Sequence, residues 1–165
     1  MIKKFVIAFC MLTLISVSAL AQKPQPTKNA VTSGSISIPA GSQDKKSLYT
    51  RLGGYDAIAL VVDDFITRLA TDKRFEKFFT GFSDDSRKRL RQHILDQFCA
   101  AAGGPCVYTG REMRTSHKGL GITEADWDAA AKHLVEALDK YKVPEAEKNE
   151  LLAFVVTQKK DIVEK

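Results

Sequence analysis

Between Tyr55 and Asp72 the apolar residues Ile58, Val61, Val62, Phe65, Ile66 and Leu69 recur three and four positions apart, the spacing that puts them on one face of a helix. Gly53-Gly54 marks the turn ahead of it. Ser83 followed by Asp84 and Asp85 supplies a cap and a negative first turn for a second helix, which runs to about Ala102 and stops at Gly103-Gly104-Pro105. A short helix is expected around Arg111 to Lys118, ended by Gly119 and Gly121. Thr123, with Asp126 three residues on, forms a capping box that opens a helix burying Trp127, Ala130, Leu134, Ala137 and Leu138. Beyond Lys142, Pro144 suits the first turn of a last helix carrying Leu151, Leu152, Val155 and Val156. No stretch alternates with the period of a strand, and no repeat is evident. The pattern predicts an all-α fold.

Upstream of these helices the pattern changes twice. Residues 1–21 carry Lys3 and Lys4, an apolar run from Phe5 to Ile15 and the ending Ala19-Leu20-Ala21, which is the layout of a secretory signal peptide cleaved after Ala21. A bilayer-spanning helix is usually longer. Residues 22–46 are rich in Pro, Ser, Gly and Lys, without helical period or aromatic residues, and read as a flexible tether. The folded domain is then 47–165, and the expected location is secreted or periplasmic, with no transmembrane span after cleavage.

This division changes the meaning of the composition. The chain of 165 residues has a formal charge of +5, which invites a nucleic-acid reading. Lys3 and Lys4 contribute two of those charges, and Lys23, Lys28, Lys45 and Lys46 against Asp44 contribute the other three. From Ser47 onward the chain is neutral, so no nucleic-acid partner is expected. The cluster Arg87, Lys88, Arg89, Arg91 is flanked by Asp84, Asp85 and Asp96 and reads as a solvated helix face. With 44% hydrophobic and 27% charged residues, the chain is neither mostly disordered nor fibrous.

Candidate chemistry rests on three histidines and two cysteines. His93 shares a helix face with Leu90, Ile94, Gln97 and Ala101, where an imidazole is either a satisfied core residue or a ligand. His117 lies in MRTSHKGLG, one turn after Met113 and just before Leu120, and is equally open to both readings. His133 reads as a boundary residue at its helix edge. Cys99 and Cys106 span a Gly-Gly-Pro turn. They admit a disulfide in an oxidising compartment, a buried Cys99 with an unpaired Cys106, or a Cys/His zinc site, although C-x6-C is not a usual zinc spacing. No C-x-x-C-H motif for covalent haem occurs.

Seven ordered segments resemble the truncated haemoglobins, specifically group I. They are SLYTRLGG (47–54), VVDDF (61–65), FFTGF (78–82), AAAGGP (100–105), YTGREM (108–113), SHKGLGIT (116–123) and HLVEALD (133–139). The resemblance implies a two-over-two helical sandwich around haem b (iron protoporphyrin IX). It implies His117 as the proximal iron ligand, and Phe79 as the phenylalanine packed on the haem face. Phe78, Phe65, Met113, Leu120 and Trp127 are candidates for the apolar wall. Arg111, Arg114 and Lys118 are candidates for the haem propionates.

On the distal side the chain departs from the family pattern. Ile66 stands where the family usually has a tyrosine, and Leu90 and Ile94 stand at the usual glutamine positions, so a bound O2 finds few donors. The same count places His93 where some group I members carry a distal histidine bound to iron. His117 and His93 are therefore the expected axial pair. The implied function is binding of O2, NO or CO, with a role in NO dioxygenase or peroxidase-like detoxification of reactive species and an unidentified redox partner. The alternatives are a bis-histidine electron carrier and a haem-free helical module with a Cys/His zinc site.

Overall fold

A computed structural model describes residues 46–165. The segment expected to be a signal peptide, and all but the last residue of the expected tether, lie outside the described residues. Among those described, every regular element is helical: α1 (Leu48–Arg51), α2 (Gly54–Thr71), α3 (Glu76–Phe79), α4 (Asp84–Ala101), α5 (Met113–His117), α6 (Glu124–Lys140) and α7 (Glu145–Ile162). None of these helices is long and apolar enough to cross a membrane.

The long helices begin where local chemistry satisfies their first free amides. Ser83 Oγ accepts from Ser86 N–H at 3.2 Å ahead of α4. Thr123 and Asp126 exchange hydrogen bonds at 3.1 Å in both directions, the capping box expected for α6. Pro144 is displaced by one place from its expected position. It precedes α7 as the N-cap instead of sitting in the first turn, because its extended ψ of 151° leaves its carbonyl to accept the first helical bond, from Lys148 N–H at 2.9 Å. The single turns α1 and α3 were not expected, since four residues are too few to display a period. The short helix expected over Arg111–Lys118 is confined to Met113–His117, with Glu112 as its N-cap.

In the packing, α2 lies against both α4 and α6, α5 lies against α7, and α1 touches α2 and α7. Val62 from α2, Leu95 and Cys99 from α4 and Leu134 and Leu138 from α6 are the largest fully buried side chains. The core face of α4 is thus Leu95, Phe98, Cys99 and Ala102, not the stripe containing His93. That second stripe, with Leu90 and Ile94, is only half-buried, and Ala101 is exposed. An apolar stripe that protein covers incompletely is a better guide to a site than to a core. Trp127 and Ala130 are likewise half-buried rather than buried. Val156 is 61% exposed because it lies about 140° around α7 from the buried Leu151.

A disulfide joins Cys99, near the end of α4, to Cys106 across the Gly-Gly-Pro turn, with the two Cα atoms 5.7 Å apart. The sulfurs are thereby withdrawn from the Cys/His zinc set, and no cluster of metal-ligating side chains occurs among the described residues. Three of the four cations in the basic run of α4 are paired with acids: Arg91 with Asp63 of α2, Arg87 with Asp84 and Lys88 with Asp85.

Candidate functional site

His117 is the last residue of α5, and its imidazole is half-buried. Nδ1 donates to the carbonyl of Met113, one turn earlier, at 2.8 Å. The acceptor lies on its own element, because residues four apart on a helix share a face. With Nδ1 donating, Nε2 keeps its lone pair, which is the tautomer that a metal ligand needs.

His93 stands on α4 with Nδ1 fully buried and without a hydrogen-bond partner. A buried ring nitrogen left unpaired costs about 1–3 kcal/mol unless a ligand satisfies it. The ring meets the edge of Tyr108, centroid to centroid 6.0 Å with the planes at 73°. Tyr108 is held in turn: its hydroxyl donates to the Arg111 carbonyl at 2.6 Å, and burial pushes its pKa upward. Gly110 makes room for this arrangement, because a Cβ there would fall 2.3 Å from the Tyr108 hydroxyl.

A cavity of about 440 Å³ opens between α4, α5 and α7, lined by Gln97, Ala100 and Ala101, by Tyr108 and Met113, and by Phe154 and Gln158 of α7. Its volume is in the ordinary range of small-molecule pockets. Neither histidine lines it. It adjoins both of their elements, with Met113 one turn before His117 and Gln97 one turn after His93.

The expected apolar wall is distributed around this region. Phe65, Ile66 and Ile94 are half-buried and pack against the core. Phe78 faces Phe75 at 6.2 Å and Phe79 faces Phe82 at 5.7 Å, so the two neighbours on α3 diverge. Leu120 is 43% exposed, and Trp127 has the Lys159 ammonium 6.0 Å above its ring. Of the three cations considered for propionates, Arg114 pairs with Asp161 at 2.6 Å. Arg111 and Lys118 are exposed. His133 lies apart from the site, its Nε2 2.9 Å from Asp72 in the α2–α6 contact.

Tyr108, Phe154, Asp161 and Glu164 were not singled out from sequence. Tyr108 stood inside the quoted YTGREM segment, and its neighbouring glycine was the one available signal. Phe154 gave none beyond its hydrophobicity.

The all-helical fold is that of the two-over-two globins. Residues 47–164 match the family model described as "Bacterial-like globin". Group 1 truncated hemoglobin GlbN of Mycolicibacterium paratuberculosis is 38% identical over 109 residues, covering 66% of this chain and 78% of the relative. GlbN of Synechocystis is 37% identical over 103 residues, covering 60% and 81%. Among solved structures, the 2/2 hemoglobin from Synechococcus, in the cyanomet state with covalently attached heme, superposes with a TM-score of 0.65 at 31% identity, covering 72% of this chain and 98% of that one. Truncated hemoglobin from Tetrahymena pyriformis in its Fe(III) form gives 0.66 at 28% identity, covering 73% and 100%. The chain belongs to the bacterial-like globin family, in its group 1 truncated haemoglobin branch.

Membership of a globin family implies haem. The residues fit it: a half-buried imidazole presenting a free lone pair, a second imidazole with an orphaned buried nitrogen, and half-covered apolar side chains on α2, α3 and α4.

Proposed function

We propose that this protein is a haem b globin that binds O2, NO or CO, with His117 as the proximal ligand and His93 as an exchangeable sixth ligand. The observation that supports this is the 2.8 Å hydrogen bond from His117 Nδ1 to the Met113 carbonyl, which leaves Nε2 with the lone pair that a ligand to iron needs. When bound, haem supplies an iron for a diatomic ligand and a one-electron couple. His117 holds the group and sets its basicity through the Met113 carbonyl. His93 would be the residue that holds the second face of the group in the absence of gas.

Ile66, Leu90 and Ile94 carry no donors, and the Tyr108 hydroxyl is committed to the Arg111 carbonyl. A ligand that accumulates negative charge, as O2 does, therefore finds little stabilisation, while the less polar CO and NO lose less. Storage of O2 fits this surface poorly, and binding of NO or CO fits it better. If His93 stays bound through both oxidation states, the protein is an electron carrier, for which two imidazoles suit the small change in coordination.

Export is part of the proposal. It rests on the residue pattern of 1–21 and is supported by the Cys99–Cys106 disulfide, which belongs to oxidising compartments. Absorption spectroscopy tests the axial pair. The ferrous protein without added gas should show an intense Soret band with the sharp split visible bands of a low-spin haem. His93→Leu should convert it to high spin, and a ferrous spectrum that stays low-spin removes His93 as the ligand. His117→Ala with unchanged haem content and spectrum would overturn the assignment.

A further inference from the structure

The segment that carries His117 has little packing to hold it. α5 has five residues, none of them buried, and an isolated helix of that length does not persist. Directly after it the chain passes through Gly119 and Gly121, both in the left-handed region at φ 84° and 64°. What fixes this segment comes from the C-terminal end of α7. Arg114 donates to Asp161 Oδ1 from Nη2 at 2.6 Å and from Nε at 3.1 Å.

Past the last turn of α7 the chain folds back on the loop. The Glu164 carboxylate accepts the Gly119 amide on one oxygen and the Gly121 amide on the other, both at 2.6 Å. Its own amide donates to the Ile122 carbonyl at 2.9 Å, and the Glu124 amide donates to the Lys165 carbonyl at 3.2 Å. The stretch from Arg114 to Glu124, with His117 inside it, is thus tied to residues 161–165 from both flanks.

We propose that Glu164 is a positioning residue for the proximal imidazole, acting by clamping the two glycine amides that follow His117. The carboxylate is suited to the task by geometry. Its two oxygens meet amides two residues apart, and left-handed glycines on both sides of Leu120 turn those amides toward one acceptor group. Because Leu120 N–H donates to the His117 carbonyl at 3.1 Å, a shift of the loop is passed directly to the residue bearing the ring. Glu164 sets the orientation of the imidazole, and with it the strength of the axial bond.

This proposal rests on His117 being the proximal ligand, so the test carries a separate control for that. The experiment is resonance Raman spectroscopy of the ferrous holoprotein in a His93→Leu background, where the iron–histidine stretch is visible. Haem transfer to an acceptor globin is timed in parallel. His117→Ala should abolish the band, and its survival would refute the underlying assignment, not the clamp. Glu164→Ala should shift or broaden the band and speed haem loss by about threefold, the scale of an exposed charge-assisted contact.

Glu164→Asp keeps both acceptor oxygens and should restore part of both effects. Arg51→Ala, which removes the Arg51 pairs to Glu147 and Glu150 of α7 far from this loop, should lower thermal stability without moving the band. Amide hydrogen exchange at Gly119 and Gly121 should accelerate in Glu164→Ala, a readout independent of iron. A Glu164→Ala protein that retains the wild-type band and haem-loss rate, or one that loses only thermal stability as Arg51→Ala does, overturns the proposal.

Discussion

The two histidines stand on unlike supports. His93 is carried by an 18-residue helix whose opposite face is locked into the core by Leu95, Phe98 and Cys99, and that helix is tied at its end by a disulfide. His117 is carried by a five-residue helix with no buried residue, held from outside by Arg114–Asp161 and by the Glu164 carboxylate. Packing and covalent closure resist salt and small displacements, whereas exposed charge-assisted contacts are weak and screened. The support of His93 is rigid and that of His117 adjustable. In the proposed roles, a fixed helix would return His93 to one position, and the support of His117 would be the one able to give by fractions of an ångström.

The largest expected difference between the two sides is in haem retention. His117→Ala should weaken haem binding by about a hundredfold or more, since even indirect partners of a metal ligand are worth ten- to a hundredfold. His93→Leu should leave haem content near wild type while changing the ferrous spin state, and it removes the orphaned buried nitrogen. Quantifying haem by pyridine haemochrome in both variants checks the contrast. Equal losses from the two would show that the supports do not differ as described.

Opening the disulfide is the next effect in size and falls on the distal side alone. For a closed loop of this length, loss of the cross-link costs about 2.5 kcal/mol on the chain-entropy account. Cys99→Ser with Cys106→Ser should therefore lower the midpoint of chemical denaturation. Because Tyr108 follows Cys106 by two residues and packs on His93, the ligand off-rate of His93 should change as well, read by CO rebinding after flash photolysis. The Fe–His117 stretch should not. A matching change on the proximal side would show that the two supports are coupled.

Gly110→Ala is a smaller test of the same wall. The new Cβ would lie 2.3 Å from the Tyr108 hydroxyl and 2.4 Å from Cζ, so the ring must move off its hydrogen bond to Arg111. Overpacking of this kind costs about 1–3 kcal/mol. The expected outcome is lower thermal stability together with faster exchange of His93, and an unchanged rate would separate Tyr108 from the distal ligand.

How far each side was legible in the sequence follows from the range of its chemistry. Ser83 and Thr123 announced α4 and α6 because a cap is made with residues three places on. Their caps formed as read. His117 was found through an ordered set of motifs and not from its neighbours, which left it ambiguous. The face of α4 stayed open until the resemblance placed His93, because Leu90 and Ile94 have the same period as Leu95 and Phe98, and periodicity alone does not say which stripe meets protein. Glu164 was invisible: its partners are 45 and 43 residues away, and one acidic residue near a chain end has no local signature. Tyr108 depended on a contact with α4 across the disulfide turn.

The smallest expected effect concerns acid, and most of it falls on the α2–α6 frame, with Glu164 the one lowered carboxylate beside His117. The His133 ring hydrogen-bonds Asp72 and holds its carboxyl below the usual range, Arg68 and Lys140 do the same for Asp64, and Thr123 does so for Asp126. A carboxylate whose folded pKa lies below its unfolded value contributes stability that is fully present above the unfolded pKa, near 4, and is lost as pH falls through the lower folded value. Stability should therefore be flat from neutral pH to about 5 and fall below about 4. Asp72→Asn removes one of these groups, so its denaturation midpoint should be below wild type at pH 7 and approach it near pH 3. Haem content measured over the same range should stay level until the frame opens. Loss of haem well above that point would lie outside the range in which any of these carboxylates protonates, Glu164 included, whose carboxyl the Gly119 and Gly121 amides hold below the usual range.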